Sequence, residues 1–147
     1  LCSVIKTIEN MKLKVLIGGQ ALRNLGHNRH TIDVDYLIFD KNLPLFSKED
    51  GQEIDYINAG KNKFLSEIWE KEKNNQQASI DSLFELKAWA WINHLQNGNN
   101  KKAVDCEFDF YFLLSKGANA PVLIKKHITP TEWSYLVQEI EYQRKKL

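Results

Sequence analysis

Two aspartates one residue apart, Asp33 and Asp35, are the side chains of this sequence whose type and spacing best suit metal chemistry. They lie in the run RHTIDVDYLIF, whose apolar members over residues 34–39 predict a β-strand. Because side chains alternate along a strand, both carboxylates are expected on one face. Two such carboxylates repel each other unless a cation lies between them, and Mg²⁺ prefers carboxylate oxygens. The pair therefore predicts a divalent-metal site; the alternative is an exposed strand end whose acids face water.

A Gly-Gly turn precedes the two acids. Gly18 and Gly19 lie between a predicted strand over residues 14–17 and a predicted helix over residues 20–25. A phosphate can approach the bare backbone of such a turn, and a helix N-terminus adds N–H donors and partial positive charge. The order of turn, helix and acidic strand predicts a phosphate site beside the metal site. The alternative is a tight turn that binds nothing.

A third carboxylate, Asp55, lies in the alternating run EIDYI, a second predicted strand. Three acids can hold two Mg²⁺ ions, one that activates an attacking hydroxyl and one that stabilises a leaving pyrophosphate. We predict Asp55 as the third acid. Glu53 lies on the same face of the strand and is its rival, and a simple strand-edge charge is the alternative.

Composition indicates an ordinary globular chain. It has 147 residues, 43% of them hydrophobic and 27% charged, with a formal net charge of +1. A net charge this small does not indicate nucleic-acid binding, so any basic surface must be confined to one part of the molecule. The two cysteines, Cys2 and Cys106, have no metal-type spacing and fit a reduced cytoplasmic protein. No apolar run approaches membrane-spanning length, so we expect a cytoplasmic protein without a membrane partner.

In the remaining segments, the spacing of the apolar residues mostly predicts helices. The first ten residues predict a short amphipathic helix, and residues 61–78 predict a solvated Asn/Gln-rich insertion with one helical turn. Further helices are predicted over residues 82–95, over residues 104–114 and from Pro130 onward.

Together these elements predict an α+β (α/β-like) fold with a small mixed β-sheet flanked by helices and a helical C-terminal half. The predicted division is a core with the metal-binding strands over residues 1–80 and a helical portion over residues 81–147. A single domain is the alternative.

The segment GGQALRNLGHNRHTIDVDYLI resembles the signature of the nucleotidyltransferase superfamily, which has a polymerase-beta-like fold. In that signature a Gly-Gly or Gly-Ser turn precedes an acid-hydrophobic-acid strand. The pattern of Arg29, Thr31, Asp33 and Asp35 is similar to the bacterial branch that includes abortive-infection and toxin–antitoxin nucleotidyltransferases. The resemblance is specific over residues 14–39.

The resemblance implies a nucleotidyltransferase that uses a nucleoside triphosphate and two Mg²⁺ ions. It implies that Asp33, Asp35 and Asp55 are catalytic and bind the metal. It also implies a set of nucleotide-binding residues: Gly18, Gly19, Arg29, Thr31, Lys87 and Asp105. Lys87 would contact the phosphates or the base, and Asp105 would support the site. The chain departs from the pattern at His94, where the family often has arginine, and in the separation of Lys102 from Asp105.

Lys87 is also a candidate site residue for a reason that does not depend on the resemblance. A lysine inside the apolar run LFELKAWAW is costly unless its ammonium reaches an anion or water. The alternatives are an exposed, snorkelling Lys87 and a solvated Arg29. Trp89 and Trp91 flank one position of the same helix and cannot both point inward, so one of them is expected to line a cleft or a partner surface.

The first hypothesis is therefore a metal-dependent nucleotidyltransferase that moves a nucleoside monophosphate to an acceptor hydroxyl. The acceptor stays open between RNA, protein and a small molecule, and a toxin–antitoxin or abortive-infection setting implies a cognate partner protein. Basic residues near the C-terminus suit an RNA backbone, or are simply solvated. The second hypothesis is a catalytically silent member that serves as a binding or antitoxin-like protein. A small-molecule transferase resembling aminoglycoside or lincosamide nucleotidyltransferases is the third.

Overall fold

The computed structural model describes residues 13–29, 33–49, 51 and 53–147. The chain divides into two compact units, Leu1–Ala78 and Ser79–Leu147. The predicted α+β class, with a small mixed sheet and a helical C-terminal half, is confirmed. The helix predicted for the first ten residues lies outside the described residues. Within the described part of the chain, no helix combines the length and apolar character needed to cross a membrane.

The first unit has a four-stranded mixed sheet with strand order β1-β2-β4-β3. The strands are β1 (Val15–Ile17), β2 (Val34–Ile38), β3 (Phe46–Lys48) and β4 (Ile54–Asn58). β2 and β4 pair in parallel, and the other two pairs are antiparallel. The two predicted acid-bearing strands therefore lie side by side and run in the same direction.

β3 is absent from the predicted order of elements. Its three residues, in a polar stretch, are too few to show a period-two pattern, and only the antiparallel pairing with β4 makes the segment a strand. The structure therefore adds an edge strand next to the strand of Asp55.

Two helices of the first unit begin at or directly after a residue suited to a helix start. α1 (Gly18–Asn24) packs on β1 and β2. α2 (Lys63–Glu72) contains the helical turn predicted around residues 64–69 but is longer, and the prediction that this segment is a solvated insertion is wrong. Asn62 caps α2 by accepting a hydrogen bond from the Leu65 N–H at 2.9 Å. One face of α2 is buried, because its apolar residues fall at helical spacing in a segment that otherwise looks polar: Phe64, Leu65, Ile68 and Trp69.

Buried Asn58 fixes the end of β4, three residues beyond Asp55. Its amide donates to the carbonyls of Asp40 and of Leu43, the latter at 2.9 Å. Its side-chain oxygen accepts from the backbone N–H groups of Asp40 and Gly60, each at 2.9 Å. One side chain thus satisfies four backbone groups and ties the turn after β2 to the end of β4.

We expect Asn58→Ala to lower the free energy of unfolding of the first unit by about 3 kcal/mol, since it leaves buried backbone groups without partners. Hydrogen exchange of the β2 and β4 amides in the full chain measures this change. Asn42→Ala, an exposed change in the same turn, is the control and should stay within about 0.5 kcal/mol of wild type. Equal effects of the two changes would contradict the role given to Asn58.

The second unit is helical. It contains α3 (Ile80–Gln96), α4 (Asn100–Ser115), a 3₁₀ helix over Leu123–His127 and α5 (Pro130–Arg144). The three predicted helices of this half are confirmed, each one somewhat longer than its apolar pattern. α4 is a helix despite its strand-like aromatic residues, because its buried positions recur at helical spacing and pack against α3 and α5.

Side chains cap the N-termini of α3 and α5. The Ser79 side chain accepts from the Ser82 N–H at the start of α3, and Thr129 forms a capping box with Glu132 at the start of α5. The buried Glu85 carboxylate accepts three backbone N–H groups, from Val122, Leu123 and Ile124, at 2.8 to 3.1 Å. That carboxylate holds the connection between α4 and α5 against α3.

Candidate functional site

Asp35 and Asp55 are direct neighbours across the parallel pair β2–β4. Register partners in parallel strands point to the same face, and adjacent strands are about 4.8 Å apart. The same row continues to Ile17 of β1 on one side and to Lys48 of β3 on the other. Both aspartates are partly buried. Two carboxylates are thus side by side in a row that crosses all four strands.

Gly18, the first glycine of the pair, lies against Asp35. Gly18 follows β1 directly, begins α1 and has a φ of +71°. A Cβ on Gly18 would lie 3.0 Å from Cγ of Asp35 and overlap its Oδ2. Glycine is therefore required here twice, for its backbone conformation and for the space that the Asp35 carboxylate occupies. The next residue, Gly19, is buried at the start of α1.

We expect Gly18→Ala to cost at least about 2 kcal/mol more than the same change at Gly51, because only Gly18 adds an overlap to the backbone strain. Gly51 has nearly the same φ, +70°, and no atom within 4 Å of an added Cβ. Thermal unfolding of the two variants measures the difference. If both variants lose the same stability, the close approach of Gly18 to Asp35 does not affect the free energy of unfolding.

Asp33 immediately precedes β2 and is partly buried. The N–H of the next residue, Val34, donates to the carbonyl of Glu53 at 2.7 Å, so Asp33 and Glu53, the rival of Asp55, belong to the same end of the strand pair. Among the described residues, no group of three or more acids, histidines or cysteines is close enough to hold a metal ion. The structure thus brings Asp35 and Asp55 together but does not assemble three carboxylates into one group.

Two of the nucleotide-binding residues implied by the resemblance, Arg29 and Thr31, come between α1 and β2 in the sequence. Arg29 lies in the loop after α1 and is partly buried. Thr31 lies outside the described residues. The roles of both in nucleotide binding stay predictions.

Lys48 is a neighbour of the acid pair that sequence reasoning missed. Its Nζ lies 3.7 Å from Oδ1 of Asp55, with the Lys48 side chain 60% exposed and that of Asp55 34% exposed. The ammonium compensates part of the carboxylate charge concentrated in this row. The signal was present in the sequence: a hairpin turn around Gly51 pairs Lys48 with Asp55, but only once β3 is recognised as a strand.

The remaining implied residues, Lys87 and Asp105, lie in the second unit. Lys87 Nζ is 3.2 Å from Oδ2 of Asp109, whose side chain is fully buried, while that of Lys87 is 15% exposed. The predicted anion for this lysine thus exists, one helix away on α4. Asp105 is partly buried one turn before Asp109. The contacts of Lys87 and Asp105 with a nucleotide stay predictions.

His94 on α3 takes the place where the resembling family often has arginine. Burial lowers its pKa, the charges of Lys102 and Lys87 lower the pKa further, and Asp105 opposes them. His94 is therefore a neutral imidazole near pH 7, so this position does not add the positive charge that an arginine would bring.

No family model matches this chain, and neither the curated proteins nor the solved structures contain a significant match. The function is therefore inferred from the site geometry and from the resemblance of the motif.

Proposed function

We propose that the first unit is a metal-dependent nucleotidyltransferase that moves a nucleoside monophosphate from a nucleoside triphosphate to an acceptor hydroxyl. The observation that carries this proposal is the pair Asp35–Asp55 on adjacent parallel strands with the backbone of Gly18 against it. Gly18 brings the Asp35 carboxylate into direct contact with the start of α1, where the resemblance implies that the triphosphate binds.

The donor set fits Mg²⁺. Mg²⁺ is commonly held by one or two carboxylates together with substrate phosphates and water, so Asp35 and Asp55 suffice for a first ion. Asp33, directly before β2, is the proposed ligand of a second. When bound, the metal neutralises charge on the triphosphate and makes a coordinated hydroxyl more acidic.

The residues of this chain have separate roles in the proposed reaction. The triphosphate would lie along the backbone of Gly18 and Gly19 at the start of α1, next to the Asp35 carboxylate that already fills the space beside Gly18. Asp55 accepts the proton of the acceptor hydroxyl as the new oxygen–phosphorus bond forms at the α-phosphorus. The bond from that phosphorus to the pyrophosphate oxygen breaks, and pyrophosphate leaves. Lys48, which pairs with Asp55, is placed to compensate the negative charge of the row.

Incubation of the full chain with each α-labelled nucleoside triphosphate and Mg²⁺ tests this proposal. Total RNA, a protein extract and a panel of aminoglycosides and lincosamides serve as separate acceptors. We expect label transfer to one acceptor class with equimolar pyrophosphate release. Label transfer that persists unchanged in Asp35→Ala would sink the proposal.

A second candidate is a catalytically silent protein that keeps this fold for binding. Two observations favour it: the described acids do not form a group of three, and Lys48 already pairs with Asp55. Titration with labelled nucleotide and Mg²⁺ separates the two candidates, because a silent member of this kind shows no metal-dependent nucleotide binding.

The proposed setting is the cytoplasm, within a toxin–antitoxin or abortive-infection system that includes a partner protein. Cys106, a buried cysteine, suits a reducing compartment. RNA is an acceptor that the exposed basic residues of the second unit would support: Lys125, Lys126, Arg144, Lys145 and Lys146.

A further inference from the structure

An open groove of about 400 Å³ lies between α3 and α5 in the second unit. Its volume falls in the range of small-molecule sites. Its lining is largely apolar and aromatic, with one carboxylate: Trp91, Leu95, Tyr135, Gln138, Glu139 and Tyr142. Every lining residue belongs to the second unit, so the groove is independent of the acid pair in the first.

The aromatic rings of the groove suit a cation. Tyr135 and Tyr142 are each 58% exposed, so their faces are accessible. The face of an aromatic ring attracts an ammonium or guanidinium group within about 6 Å. A cation of this chain already occupies such a position, since Lys146 Nζ lies 4.4 Å from the Tyr142 ring centroid.

Two carboxylates near the groove accept hydrogen bonds from neutral side-chain donors. Glu139 accepts from the Gln143 side-chain amide at 2.7 Å, and Glu107 of α4 accepts from the Trp91 indole N–H at 3.0 Å. Neither donor compensates the carboxylate charge. Burial raises the pKa of Glu139, the charge of Glu107 raises it further, and Lys146 acts in the opposite sense. A second cation placed beside Glu139 would therefore be stabilised.

We propose that this groove binds a small organic cation, an amine or guanidinium on an apolar body. The charged group lies at Glu139, and the apolar body packs against Trp91, Tyr135 and Tyr142. Trp91 is the inward member of the Trp89–Trp91 pair, 5% exposed, and its small exposed area lines the groove. A neutral ligand of the same shape gains the apolar contacts but leaves the charge of Glu139 uncompensated.

The test uses 4-phenylbutylamine and its neutral counterpart 4-phenylbutanol, titrated into the full-length ¹⁵N-labelled chain. We expect shifts of the Trp91 indole resonance and of the α5 amides around Tyr135 and Tyr142. The amine should bind at least about fivefold more tightly than the alcohol, as expected for cation–π and carboxylate contacts. Equal affinity of the two probes, or shifts confined to other regions, overturns the proposal. This comparison uses only the wild-type protein.

Glu139→Gln gives the second measurement. Glutamine still accepts the hydrogen bond from Gln143, so the fold is expected to persist, and the amine should lose its advantage over the alcohol. Glu141→Gln removes the same charge from an exposed position of the same helix and should change neither affinity. If both variants weaken amine binding equally, general surface charge rather than the groove attracts the amine, and the proposal fails.

Discussion

Asp35→Asn is expected to lower the rate of nucleotidyl transfer by about 10³-fold, comparable with the loss of one preorganised electrostatic group in an active site. The substitution keeps the shape of the side chain beside Gly18 but removes its negative charge, so the fold should tolerate it. Pyrophosphate release under saturating nucleoside triphosphate and Mg²⁺ measures the rate.

Glu53→Gln is the matched control for this change. Glu53 is an exposed acid two residues before Asp55, and its neutralisation should alter the rate by less than about threefold if it touches no reacting group. Asp55→Asn should resemble Asp35→Asn. A large loss in Glu53→Gln together with full activity in Asp55→Asn would transfer the role of third acid to Glu53.

Asp109→Ala is expected to lower the free energy of unfolding of the second unit by about 4 kcal/mol, because it leaves the Lys87 ammonium largely buried without its carboxylate. The two atoms of this pair are 3.2 Å apart, and the Asp109 side chain has no exposed area. Hydrogen exchange of the α3 and α4 amides in the full chain measures the loss.

The double variant Lys87→Met with Asp109→Leu should recover most of this stability, since it removes both charges and fills the space. Asp105→Asn, a partly exposed acid one turn earlier on α4, is the control and should cost less than about 0.5 kcal/mol. A small loss in Asp109→Ala, equal to that of Asp105→Asn, would show that Lys87 does not depend on Asp109. The nucleotide contact implied for Lys87 would then be the better explanation of its place in an apolar helix.

The neighbourhood of the acid pair could be predicted from the sequence as far as local patterns reach. The alternation around Asp35 and Asp55 identifies two strands, and the glycine pair marks the point where β1 ends and α1 begins. Their meeting depends on the parallel pairing of β2 with β4, which brings together residues twenty positions apart. A period-two pattern predicts the face of the sheet on which a side chain lies, but it does not predict which strand is the neighbour.

Other parts of the fold could not be predicted because their signals are tertiary. The sequence predicts only one turn of α2, because the polar run KEKNNQQ that overlaps its end makes the whole segment look solvated. β3 exists through its pairing with β4, and without it Lys48 looks like a residue of a solvated loop. Asn58 looks like an ordinary strand end, yet its side chain organises the backbone on both sides of it. For Lys87, the rule that a buried ammonium needs an anion or water predicts the kind of partner, but only the packing of α3 against α4 identifies it as Asp109.

Metal binding at the acid pair is the central claim, and Mn²⁺ in place of Mg²⁺ tests it most directly. Electron paramagnetic resonance counts the Mn²⁺ ions bound to the full chain in the presence of a non-hydrolysable nucleoside triphosphate analogue. We predict nucleotide-dependent Mn²⁺ binding by the wild type and by Glu53→Gln, and its loss in both Asp35→Asn and Asp55→Asn. Mn²⁺ binding that is absent from the wild type, or equal in all four proteins, would contradict a metal site at Asp35 and Asp55.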